Sequence, residues 1–140
     1  MRGHVWVFAA VVPVLVGLFS LRRLVGLLSP PGFLRPYAGV SAEEIAAVVA
    51  RRLAHPRVMR GRACLRHGLT LLHFLRLAGL AADLHVGVYP PSADPSRLHA
   101  HCWVSLDGRD LMPAPGGPAV EMARSTWTKR ADAGLTVFPK

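Results

Sequence analysis

At Gly79 the chain changes its hydrophobic period. Before that residue, apolar side chains recur every three to four positions; after it they alternate. From about Ala63, the residues Leu65, Leu69, Leu72, Phe74 and Leu75 form a helical stripe, with Gly68 permitting close approach and Gly79 suited to end the helix. Beyond it, Asp83-Leu84-His85-Val86-Gly87-Val88-Tyr89 alternates as a strand, and Pro90 to Ser96 forms a polar loop. A second strand is expected from about Leu98 to Leu106. Asp107-Gly108 then turns the chain into a third strand, Arg109 to Met112, a good hairpin signal. Helices first and an antiparallel meander afterwards predict an α+β fold, with the helix that starts near Ala63 packed on one sheet face.

The upstream half divides at proline and glycine. Residues 1–40 read as an apolar helix followed by a Pro/Gly loop, and 41–140 as the core, the two together forming one compact domain in a chain of 140 residues. Val5 to Leu21 carries no charge and is flanked by Arg2 and His4 on one side and Arg22 and Arg23 on the other. A span needs about 20 residues, so this stretch sits at the short limit; a buried helix and a helix lying on a membrane surface are both compatible with it. No A-x-A cleavage pattern follows, which argues against a signal peptide. Ser41-Ala42-Glu43-Glu44 is a capping box opening a helix to about Leu53, with Ile45, Val48, Val49 and Leu53 on one stripe. His55-Pro56 ends it, and Arg57 to Arg62 makes a basic connector. The tail from Val120 to Lys140 is expected to be a short helix and a fraying end.

Two residues stand out chemically. Cys64 falls in the first turn of the helix that starts near Ala63, where unpaired N–H groups and the positive end of the helix dipole favour a thiolate in general. His101 opens the run His101-Cys102-Trp103-Val104-Ser105-Leu106, thirty-seven residues later. A cysteine with a histidine brought beside it is the minimal constellation for acyl transfer through a thioester, although a buried inert thiol is the common fate of cysteine. His99, His101, Trp103 and Ser105 share one strand face, and if that face meets the helix then His101 or His99 approaches Cys64. His67, His73 and His85 are weaker bases. Two cysteines give no disulfide framework and no zinc-like spacing, so reduced thiols are expected, with no metal or other cofactor.

The run Cys64-Leu65-Arg66, the leucine-rich helix to Gly79, the strand with Gly87-Val88, and His101-Cys102-Trp103-Val104 followed by Asp107-Gly108 resemble the transglutaminase-like cysteine peptidases of lasso peptide biosynthesis. These are the B proteins, or their separate C-terminal peptidase halves. The apolar segment ending in Leu21-Arg22-Arg23-Leu24 resembles that family's leading helix. The resemblance covers roughly residues 5 to 115. It implies a papain-like core and a cytoplasmic hydrolase that removes the leader peptide from a ribosomally made precursor. Cys64 would be the nucleophile and His101 the general base and acid. The family motif usually places an orienting Asp twelve residues after the histidine; here that position holds Pro113, and Asp107 and Asp110 are poor substitutes, so the third role is unassigned. The chain lacks room for the winged-helix precursor-binding domain of some B proteins. The resemblance therefore implies a separate small leader-recognition protein, with the macrolactam cyclase as a further partner. It leaves any nucleotide requirement open.

Charge fits such partners. Seventeen Lys and Arg against eight Asp and Glu give a net charge of +9, which favours an acidic peptide or an anionic membrane surface. Nucleic acid is disfavoured, because the aromatic residues do not interleave with the basic ones as a stacking platform requires. A catalytically impaired scaffold of the same fold, and a basic membrane-associated adaptor anchored through residues 5–21, are the rival readings.

Overall fold

The structure is a computed structural model and describes residues 1–30, 34–54, 63–88, 100–112, 120–127 and 133–137. The Arg57 to Arg62 connector, the Pro90 to Ser96 loop, His99 and Pro113 lie outside the described residues. Among the described residues, four helices precede five strands: α1 (Arg2–Leu18), α2 (Leu21–Leu27), α3 (Ala42–Leu53), α4 (Ala63–Leu77), β1 (Ala82–Val88), β2 (Ala100–Leu106), β3 (Arg109–Asp110), β4 (Val120–Trp127) and β5 (Ala133–Val137). The strands form one antiparallel sheet in the order β3-β2-β1-β4-β5, so the fold is α+β as the change of period at Gly79 predicts.

The apolar N-terminal segment is two helices, where the sequence suggested one. The break falls at Phe19, whose φ of −120° and ψ of 145° are extended, and Ser20 caps the second helix in the same region. Pro13 is carried inside α1, where it removes one hydrogen bond of the ladder. The inner stripe of α1, Val5, Ala9, Val12 and Val16, is buried in the same apolar cluster as α3 and α4, so residues 1–40 and 41–140 share a core. At the start of α3 the Glu44 amide donates to Ser41 Oγ at 3.1 Å, the first half of the capping box. Ile45, Val49 and Leu53 are buried, while Val48 is only partly covered.

Helix α4 is the axis of the fold. Residues 68 to 72 and 74 to 77 are buried, with α1 and α3 on one side and β1 and β2 on the other. It ends where expected: Gly79 takes a φ of +82° and the Leu80 amide donates back to the Leu75 carbonyl at 3.0 Å, so the last carbonyls are bonded. Where α4 crosses the sheet, an added Cβ at Gly68 would lie 2.7 Å from Cys102 Sγ and 3.0 Å from Leu84 Cδ1. No larger residue fits at this spacing. The Asp107-Gly108 turn has φ values of 50° and 78°, the left-handed pair of a type I′ hairpin. Strand β3 is two residues long, shorter than the four expected, and the hairpin ends as Leu111 donates to the Val104 carbonyl at 2.9 Å.

The C-terminal part corrects the sequence expectation of a short helix. Residues 120–127 return to the free side of β1 as β4, and β5 pairs with its far edge. The strand pattern is hard to see because the buried positions of β4 are small or polar. Ala123 pairs with Val86 and Ser125 with Leu84, and both are covered, at 8% and 0% exposure. A register shift between Val86 and Gly87 further disrupts the alternation.

Candidate active site

Cys64 lies one residue into α4 and is partly exposed. It faces the first residue of β2, with Sγ 4.0 Å from the Ala100 carbonyl oxygen. A cavity of about 260 Å³ opens between the start of α4 and this end of the sheet. Its wall includes Cys64, Leu65, Leu21, Val86, Ala100 and His101. The sequence-predicted pair thus borders one largely apolar cavity, at the end of the sheet where β1 finishes and β2 begins.

The orientation of β2 differs from the condition set for an approach by His101 along the strand face. It is the Cys102 and Val104 face that meets α4, as their closeness to Gly68 shows. Residues of the other parity point away: the rings of His101 and Trp103 stack at 6.3 Å, and those of Trp103 and His85 at 5.1 Å. Cys64 and His101 nevertheless border the same cavity at this end of the sheet. The physical reason for the orientation of β2 is packing. Cys102 and Val104 are 2% and 0% exposed against the helix, and a register that exchanged the faces would press Trp103 against the backbone of Gly68.

Cys102 is a buried thiol beside the cavity. Burial pushes its titration well above the ordinary thiol range, and the neighbouring Cys64 adds to the rise. It is thus held as a neutral thiol, and both cysteines are free. Among the described residues, His4 lies 2.8 Å from the Tyr37 hydroxyl, and His73 and His85 also have partners away from Cys64. Burial holds His67 and His73 below the usual imidazole range, and His73 Nδ1 lies 3.1 Å from the Leu28 carbonyl while its ring stacks on Phe8 at 4.2 Å. Asp107 and Asp110 are exposed at the hairpin, and Asp110 pairs with Ser105, four residues along from His101.

Two buried polar groups escaped the sequence reading. His85 Nδ1 lies 2.6 Å from Glu121 Oε1, and His85 Nε2 lies 2.7 Å from Ser105 Oγ. The short contact to a carboxylate assigns the proton to Nδ1, so the Ser105 hydroxyl donates to Nε2. This serine-histidine-glutamate array has the order of a hydrolase triad, but Ser105 is 7% exposed and His85 4%. It ties β1, β2 and β4 together from the face opposite α4. No motif announces it, because the register of β1 on β2 is set across a long connection and not by a tight turn.

Arg76 is the second. It is 1% exposed and donates to Ser29 Oγ, to Ser125 Oγ at 3.2 Å and to the Ala82 carbonyl at 3.5 Å. Burial pushes its titration down to about 10, with Asp83 opposing the fall, so the guanidinium stays charged at neutral pH. One side chain near the end of α4 thus holds the end of α2, the start of β1 and the middle of β4.

Searches of curated proteins and of solved structures found no significant match. A scan against protein families did: the profile of the transglutaminase-like superfamily matches residues 5–121. That span runs from α1 into β4, with the cavity, Cys64 and His101 all inside it. The chain belongs to the transglutaminase-like superfamily.

Proposed function

We propose that the chain is a cysteine peptidase that removes the leader from a ribosomally made precursor during lasso peptide maturation. The observation that carries this reading is the placement of a partly exposed Cys64 in the first turn of α4, in the wall of a cavity that also includes His101. His101 takes the thiol proton, and Cys64 attacks the carbonyl carbon of the last leader residue. The departing core amine collects the proton from His101, leaving the leader as a thioester on Cys64. Water, deprotonated by His101, then releases the leader acid and restores the thiol. The Cys64 backbone N–H, at the helix start, is the candidate donor to the oxyanion. The net charge of +9 suits an acidic leader presented by a separate small recognition protein, with the macrolactam cyclase taking the freed amine.

Cleavage in a mixture of precursor, recognition protein and this chain tests the reading. Cys64→Ala and His101→Ala are expected to abolish it, and Cys102→Ser to leave it largely intact. Unchanged cleavage by the Cys64 variant would sink the proposal. A second reading, a non-catalytic scaffold for precursor and partner, is favoured by one observation: His101 stacks with Trp103 on the sheet face away from α4. The scaffold predicts that Cys64→Ala and His101→Ala leave maturation by the complete set of enzymes unaffected.

A further inference from the structure

Helix α1 is apolar on two opposite sides. Its inner stripe packs into the core. Its outer stripe, Val7, Val11, Val14 and Leu18, recurs at the spacing of successive helical turns and is 57%, 43%, 58% and 72% exposed. An apolar helix face of this length left in water calls for a partner.

Three observations identify its chemistry. The stripe is a row of four exposed aliphatic side chains along one side of a single helix, which suits a broad apolar plane. Basic residues frame it: Arg2 begins the helix, Arg22 and Arg23 follow it, and the first acidic residue of the whole chain is Glu43. At the flank of α1, a cavity of about 280 Å³ combines the Trp6 ring with Arg2, Arg51 and Arg52, and the Arg52 guanidinium sits 4.9 Å over that ring. An indole and arginines side by side are what the boundary between acyl chains and phosphate headgroups accepts. The helix is too short to cross: no helix among the described residues is long and apolar enough to span a membrane.

We propose that the outer stripe of α1 lies on an anionic bilayer, with Val7, Val11, Val14 and Leu18 in the acyl boundary and the arginines on the headgroups. Docking there does not rest on the peptidase reading: none of the four stripe residues lines the cavity beside Cys64, although Leu21, which follows α1, does. The bilayer would hold the protein by one face and leave the sheet open to its partners.

The test is flotation of the full chain with vesicles of phosphatidylcholine alone or with roughly one-third phosphatidylglycerol. Partitioning is expected to be about tenfold stronger or more on the anionic vesicles and to fall with salt. Val11→Asp with Val14→Asp should reduce it by about tenfold or more, and Arg22→Gln with Arg23→Gln by several-fold. These side chains are exposed, and an unchanged melting temperature for each variant confirms that the fold is intact. Equal binding to both vesicle types, or full binding by the Val11/Val14 variant, overturns the proposal. So does a dimer, seen by light scattering without lipid, that the same variant dissociates, because the stripe then covers a second copy.

Discussion

Replacing Gly68 by alanine tests how closely α4 rides on the sheet. In an open helix the change stabilises by about 0.5–1 kcal/mol, because alanine has less backbone freedom to lose. Here the new methyl would sit 2.7 Å from Cys102 Sγ and 3.0 Å from Leu84 Cδ1, side chains that are 2% and 0% exposed. Overpacking by one methyl in such a core costs about 1–3 kcal/mol. The net expectation is a loss of about 1 kcal/mol, a fall of about 3 °C in Tm for a chain of this size. Cys102→Ala alone also destabilises, by about 1 kcal/mol, through the space it leaves. In the double variant the methyl occupies the volume the sulfur vacates, so the two losses should fail to add by about 1–2 kcal/mol. Urea unfolding of all four proteins, followed by far-ultraviolet circular dichroism, measures the cycle. A Gly68→Ala variant as stable as the parent, or a cycle that is simply additive, refutes the close approach of helix and sheet. The site feels the same change, since Cys64 lies one turn before Gly68 and a lifted helix carries the thiol away from Ala100.

Arg76→Ala takes the guanidinium from the buried Ser125 hydroxyl and the Ala82 carbonyl and opens a cavity, while Ser29 keeps its bond to the Val25 carbonyl, so a loss of about 3–5 kcal/mol is expected, with Arg76→Met losing less because its chain refills part of the volume; equal melting temperatures for both variants would refute this. His85→Ala should destabilise by about 2–4 kcal/mol, because it leaves Ser105 and Glu121 without their bridge, and the loss should shrink in a Ser105→Ala background when measured by urea unfolding. The buried Cys102 makes the fold sensitive to alkali. Its folded titration lies above the unfolded one, so the stabilisation is complete below the unfolded thiol value and is lost as pH rises beyond it. Stability should fall by about 1.4 kcal/mol per pH unit above about 8.5. The Cys102→Ala variant should lack that contribution; an identical alkaline slope in both proteins would count against it.

Legibility in the sequence followed chemistry that is local. The cap at Ser41, the stop at Gly79, the Asp107-Gly108 turn and the position of Cys64 in the first turn of α4 each depend on neighbours within a few residues, and each is found as read. What depended on distant pairing was not visible. The face of β2 that meets α4 is decided by a glycine on the helix, not by the alternation of the strand. β4 hides its buried face behind Ala123 and Ser125, and the buried guanidinium of Arg76 looks in sequence like a solvated basic residue at a helix end. At the candidate site, the two residues on the cavity wall are readable, while the face of β2 that turns to α4 requires the register of β1, β2 and α4 together.

The position of the cavity has a consequence for what can be processed there. Cys64 stands at the start of α4 and His101 on β2, and both border the cavity at the end of the sheet where β1 ends and β2 begins. The cavity, at about 260 Å³, is smaller than the usual range of about 300–1,000 Å³ for ligand pockets. It has room for a side chain or two beside the scissile bond and no more. On the proposed peptidase reading, selectivity for everything further along the substrate would fall to whatever presents it, with Cys64 setting only the point of cleavage.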